Sequence, residues 1–181
     1  MLRRHVISWQ DLCRANVQVT GELMKLGLWS SHLDEITVYW VTASWSCYGW
    51  FDGHIYIPAI SLPQLSDLIA GRHMRLTDVL RHEWSHALAD RLPRLMDTRR
   101  FVRTFGGPYE SCAKVSNHNP DEHFTAYSAT MPAEDFAEVF SYFVRHKGRL
   151  PARYRSKPVI VRKWQFVEWL ATRIAGRRQA A

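Results

Sequence analysis

Cysteine is scarce in this sequence, long apolar runs are missing, and each shortage excludes a class of protein. Only three cysteines, Cys13, Cys47 and Cys112, occur in 181 residues. They are far apart and odd in number, so a disulfide framework is excluded as the organising principle, and reduced, buried thiols are expected. Nowhere do eighteen apolar residues follow one another, which leaves no candidate for a membrane-spanning helix. The opening MLRRHVISWQDLCRANVQVTGE mixes charged and polar side chains throughout and has no signal-peptide core. A cytoplasmic protein is therefore expected, with export by a signal-independent route left open. Low-complexity tracts and internal repeats are absent too, which argues against disorder and against a solenoid.

A block of like charge is also lacking. The formal net charge is +7, yet the arginines are spread along the chain, and only RIAGRR at 173–178 is locally basic. That distribution suits a solvated basic surface better than a nucleic-acid groove, so DNA or RNA is a weakly supported partner and a membrane is not expected.

What is present is an apolar fraction of 46%, enough for one well-formed core. The expectation is a single α+β domain over 1–181, with a metal-binding core at about 50–148 and a closing helix at 158–176. A first helix is read from Ser8 to about Leu28. EITVYWVTAS (35–44), SCYGWFDG (46–53) and HIYIPAI (54–60) are β-branched and aromatic, with Asp52-Gly53 placed for a type I′ hairpin. LPQLSDLIAGRH predicts a short helix ended near Gly71. LTDVLRHEWSHALADRL (76–92) repeats apolar residues at helical spacing and stops at Pro93, so it predicts an amphipathic helix. A polar stretch follows, and PAEDFAEVFSYFVRHKG (132–148) runs from a first-turn Pro132 to Gly148 as another helix. The closing helix puts Ile160, Trp164, Val167, Ala171 and Ile174 on one face and is read as a packing element.

RHEWSHALAD carries the chemistry. Residues four apart on a helix lie on one face, so His82 and His86 can bring imidazole nitrogens to one point, as zinc requires. Glu83 lies on the adjoining face, placed to contact a water at the metal rather than the metal itself. A catalytic zinc has three protein ligands, so a third is needed. A third histidine six residues after the second is ruled out, because that position is Leu92. SNHNPDEH (116–123) offers His118, Asp121 and His123 from a loop. The helix PAEDFAEVF offers Glu134, preferred because its apolar residues Phe136, Val139, Phe140 and Phe143 make it a core element whose first turn lies near the active helix. Glu138, one turn on, is read as the hydrogen-bond acceptor of a ligand histidine, and Glu138 or Asp135 is the reserve ligand.

HEWSH followed by AYSATMPAEDFAEVFSYF resembles the gluzincin metallopeptidases, above all small bacterial zinc-binding metallopeptidases and the catalytic domain of anthrax lethal factor. The similarity covers roughly 50–148 and is specific at the two helices. It implies a zincin-like fold, a small mixed sheet over the active-site helix with a second, glutamate-bearing helix and flanking terminal helices. It also implies Zn2+ held by His82, His86 and Glu134, with Glu138 in the second Glu position. Tyr127, seven residues before Glu134, has the spacing of a tyrosine that lies over the zinc in the lethal-factor type. The four-cysteine zinc ribbon of the bacterial family has no counterpart here. In such proteins an edge strand binds the substrate peptide, and GHIYIPAI (53–60) is similarly placed, which makes Tyr56 and Ile57 the expected substrate contacts.

The expected activity is zinc-dependent endopeptidase cleavage of a protein or peptide, with a zinc-activated water, Glu83 as general base, and Tyr127, or failing that His123 or His118, donating to the oxyanion. Trp50 is a further possible substrate contact. The rival readings are a zinc-binding regulatory or DNA-associated protein with lost or restricted proteolysis, and a toxin-like protease with one protein target. An intact Glu83 weighs against lost hydrolysis, since a structural zinc site has no use for a base.

Overall fold

The computed structural model describes residues 6–69, 75–112 and 117–178. Gly71, the expected end of the short helix, and Ser116 of the loop segment lie outside these ranges. The chain opens on α1 (Trp9–Lys25), where Ser8 and Asp11 form a capping box and Leu12, Ala15, Val19 and Leu23 make the buried stripe. Three strands follow, β1 (Val38–Val41), β2 (Gly49–Phe51) and β3 (His54–Pro58), and then the helices α2 (Leu62–Ile69) and α3 (Leu76–Arg91). Two short helices, α4 (Pro93–Met96) and α5 (Arg99–Phe105), lead towards α6 (Pro132–Arg145) and α7 (Pro158–Arg178). This is a mixed α+β arrangement. No helix among the described residues is long and apolar enough to cross a membrane.

The sheet has the order β1-β3-β2, with β1 parallel and β2 antiparallel to β3. Asp52 (φ 47°) and Gly53 (φ 78°) supply the two left-handed positions of the β2–β3 turn, as a type I′ hairpin demands. β3 is therefore the central strand, paired on both sides, and not the edge strand expected from its position in the sequence. Ile55 and Ile57 point inward with no exposed surface, while Tyr56 points outward and stacks on Tyr39 and Trp45. The two edges are β1 and β2, and of these it is β2 that packs on α3.

α3 is also different from expectation. From Asp78 to Ser85 every residue is buried, so this is a central helix and not an amphipathic surface one. It packs against α1, α6 and the sheet. Its polar residues are tolerated inside because they are partnered. Arg81 (5% exposed) binds both oxygens of Glu22 on α1, at 2.8 and 2.9 Å, and Asp78 one turn back. Asp78 in turn lies 3.5 Å from Arg145 of α6. A buried ion network of this kind repays its desolvation only when every charge finds partners, and it ties three helices in one relative position.

Behind the site, Phe101 and Phe105 of α5, Phe136 of α6 and Phe166 of α7 meet in a cluster of mostly edge-to-face contacts 4.7 to 6.2 Å between centroids. Each ring contributes about 1.5–3 kcal/mol on burial. The rings hold the start of α6 against α5 and α7, while α6 itself packs along α3.

Candidate metal centre

Helical spacing on α3 and the docking of α6 bring three ligand atoms together. His82 Nε2 and His86 Nε2 are 3.1 Å apart. Glu134 Oε2 lies 3.1 Å from the first and 3.6 Å from the second. Ligand atoms about 2.0–2.1 Å from a tetrahedral ion are separated by about 3.3–3.4 Å, and the three edges of this triangle bracket that value. Glu134 Oε2 is buried and accepts no hydrogen bond, so the protein leaves it an orphan that a cation would satisfy. Among the described residues this is the one group of three or more such side chains that could hold a metal ion. The donor set fits a divalent ion of zinc's preferences.

A surrounding layer orients the ligands. Glu138 Oε1 approaches His82 Nδ1 to 3.3 Å, close enough for an ion contact but off the line of a hydrogen bond. Tyr109 Oη lies 2.8 Å from His86 Nδ1. With Nε2 of His86 turned to the metal position, Nδ1 carries the proton and donates it to the tyrosine oxygen, the tautomer following from that geometry. Glu83 is held separately, with Oε2 accepting a 2.7 Å hydrogen bond from the backbone N–H of Trp50 on β2. Gly49 (φ 78°) makes the approach possible, because a Cβ there would lie 2.7 Å from Glu83 Oε2.

The electrostatics follow from burial and charge together. Burial alone would lower the His82 pKa, but contact with Glu134 and Glu138 and the field of Glu83 outweigh it and push the imidazole up to about 10. Burial raises Glu134, yet the imidazoles of His82 and His86, 3.1 and 3.6 Å from its Oε2, hold it well below the usual carboxylate range. Without a metal the site therefore keeps a proton on His82 against an ionised Glu134. Burial and then the charge of Glu134 raise the phenols of Tyr109 and Tyr127 far above neutrality, so both remain protonated donors. Tyr127, on a single 3-10 turn (Tyr127–Ala129), lies in the field of Glu134, and its ring is 5.9 Å from that of His82.

His82, Glu83, His86, Tyr127 and Glu134 open onto one cavity of about 600 Å³, whose wall also includes Trp50. Tyr56 and Ile57 do not reach it, because β3 is central and its side chains point to the core and to the far face. The loop candidates stand apart as well. His118 is exposed, Asp121 pairs with Lys157 at 3.2 Å, and His123 is buried 3.9 Å from Asp135. Asp135, the reserve ligand, turns away to a 2.6 Å ion pair with Lys163 of α7, and burial pushes its carboxyl up to about 7 despite that partner. The thiols are free, but Cys112 is exposed on the cavity wall and Cys13 and Cys47 are half-buried, contrary to the buried thiols expected.

Three participants have no trace in the motif reading. Tyr109 sits in the polar GGPYESC stretch, which has no periodicity. The Gly49-Trp50 backbone looks like ordinary strand. Lys163 could have been found, since it falls on the apolar face of α7 between Ile160 and Val167.

No family model, curated protein or solved structure matches the chain. The functional reading accordingly rests on the chemistry of its own residues.

Proposed function

We propose that this protein is a zinc-dependent endopeptidase of the zincin-like, gluzincin type. The observation that carries the reading is Glu83: it flanks the three ligand atoms, shares their cavity, and is anchored by one oxygen to Trp50 N–H. A structural metal site has no need of an aimed carboxylate.

His82, His86 and Glu134 would hold the ion. Bound there, zinc would polarise a carbonyl and lower the pKa of a water. The chain's own residues do the rest. The anchored Glu83 keeps its second oxygen for a proton, which it takes from the attacking water and later delivers to the leaving amine. Tyr127, neutral across the working pH range, donates to the oxyanion that forms at the scissile carbonyl. Tyr109 holds His86 in the tautomer that presents Nε2, and the charge of Glu138, 3.3 Å from Nδ1 of His82, favours a proton on that nitrogen. The open edge of β2, beside the cavity, offers backbone groups to an extended substrate chain, the role first expected of 53–60.

The test is metal content beside hydrolysis of an unfolded protein, in the natural chain, Glu83→Gln and Glu134→Ala. Glu83→Gln should keep stoichiometric zinc and lose activity by about a hundredfold or more. Glu134→Ala should lose the zinc. Full activity in Glu83→Gln would end the proposal.

A further inference from the structure

Scattered along the sequence, five of the arginines are brought by the fold to one face. α5 and α7 are joined through Phe101, Phe105 and Phe166, and the outer side of α7 carries two hollows of about 370 and 700 Å³. Arg100, Arg103 and Arg162 line the first, and Arg94 and Arg173 line the second. Helical spacing explains the grouping: Arg100 and Arg103 are three apart on α5, and Arg162 and Arg173 are three turns apart on α7, each pair on a face turned away from its helix's buried residues.

These cations differ from the others in how they are compensated. Arg81 and Arg145 are taken up by Glu22 and Asp78 inside the protein. No aspartate or glutamate lines either hollow, and none of the five guanidiniums has a carboxylate partner among the described residues. The hollows also adjoin. Arg100 of the first lies 4.7 Å over the ring of Trp169 in the second, and Arg173 lies 5.9 Å from the same ring. A guanidinium stacked on an indole has already lost much of its freedom, and its N–H donors, which lie in its own plane, stay available to an anion. A merely solvated surface has no need of that order.

We infer that this groove binds the phosphodiester backbone of a nucleic acid, through phosphate contacts that carry no base sequence information. Arg162 and Arg173 are about 16–17 Å apart along the axis of α7, a length that covers about five nucleotide steps at 3.4 Å each. All five cations are arginine, whose planar fork matches phosphate oxygens two at a time. Their arrangement in a row of concave hollows suits a strand better than the flat surface of a bilayer. The inference is independent of the peptidase reading, since neither hollow shares a residue with the metal-centre cavity.

The test is fluorescence anisotropy of a labelled DNA of about 20 nucleotides, as a single strand and as a duplex, with the full chain over a range of salt. Either form should bind with Kd of about 1–100 µM near physiological salt, and the duplex should show a log–log salt slope of about −4 to −5, from five phosphate contacts. Arg100→Gln/Arg103→Gln/Arg162→Gln should weaken binding about tenfold or more and bring the slope to about −2. Lys25→Gln/Arg149→Gln/Arg155→Gln removes the same charge from residues that line neither hollow, and should weaken binding less than about threefold with the slope retained. All six substituted side chains are exposed, so both variants should fold. Equal losses in the two variants, or no binding of either DNA at low salt, overturn the inference. Adsorption to phosphatidylserine vesicles through the same three arginines, without binding of DNA, also overturns it and assigns the groove to a membrane surface.

Discussion

Gly49→Ala probes the least obvious part of the site, the contact between β2 and Glu83, the proposed general base. The substitution has two costs. A side chain at φ 78° is strained by about 1–2 kcal/mol. The new Cβ would also fall 2.7 Å from Glu83 Oε2, closer than real Cβ atoms approach, and 3.0 Å from its Cδ and Oε1. Either β2 retreats or the carboxylate rotates. In both cases the 2.7 Å bond from Trp50 N–H opens, and losing a hydrogen bond to a charged group costs about 1.5–3 kcal/mol more. The sum is a destabilisation of about 2.5–5 kcal/mol, with a displaced base worth about a hundredfold or more in rate. The three atoms nearest the new Cβ all belong to Glu83 and none to the proposed ligands, so zinc should be retained.

Gly53→Ala provides the matched control. It has the same φ of 78°, but its Cβ would meet only the flexible end of Arg91, at 3.2 Å from Nη2. It should show the backbone cost alone, about 1–2 kcal/mol, and keep its activity. Urea midpoints give the stabilities, zinc analysis the occupancy, and hydrolysis of an unfolded protein the rate. If Gly49→Ala cleaves as fast as Gly53→Ala, the anchoring of Glu83 by β2 has no part in catalysis and the reasoning fails.

Other consequences are as direct. Tyr109→Phe keeps the ring and removes the partner of His86 Nδ1, so zinc affinity should fall about tenfold in chelator competition with the urea midpoint little changed. In the metal-free protein the raised His82 pKa contributes stability that is complete below its ordinary value of 6.5 and is lost as pH rises through about 10. The slope should approach about 1.4 kcal/mol per pH unit in urea titrations with chelator present. Zinc affinity should move oppositely, rising with pH over the same window, because the metal must displace that proton; a flat profile would show that His82 is neutral in the free site. Lys163→Met leaves Asp135 buried without its cation and should destabilise by about 3–5 kcal/mol, while adding Asp135→Asn should restore much of the loss.

The sequence makes some features readable and hides others for definite reasons. His82, Glu83 and His86 are visible because a helix converts spacing into direction, and the same holds for Glu134 and Glu138 on α6. The hairpin is visible because Asp-Gly is among the few pairs that accept two left-handed positions. Periodicity is a poorer guide to α3. Its charged residues look like a solvated face, yet they are buried and paired with Glu22 and Arg145, partners distant in sequence. Tyr109 and the backbone of Trp50 escape notice for a related reason, since tertiary contacts leave no local pattern. Lys163 is the exception, a lone cation on an apolar stripe, which signals a buried partner.

Strand order was the hardest thing to read, and it matters most for how a substrate would lie. Alternation shows which side chains of β3 face the core, and Ile55 and Ile57 do. It says nothing about which neighbours the strand has, because pairing is made by backbone groups that every residue shares. β1 returns parallel to β3 and covers one side of it, the hairpin brings β2 to the other, and the strand nearest α3 in sequence is thereby closed to substrate. Of the two edge strands, β2 is the one whose Trp50 N–H holds Glu83. One short strand would then both aim the base and border the substrate path. A peptide that pairs with β2 must do so without taking that N–H, and since Gly49 and Phe51 turn their backbone groups to β3, the Trp50 carbonyl is what that edge leaves it.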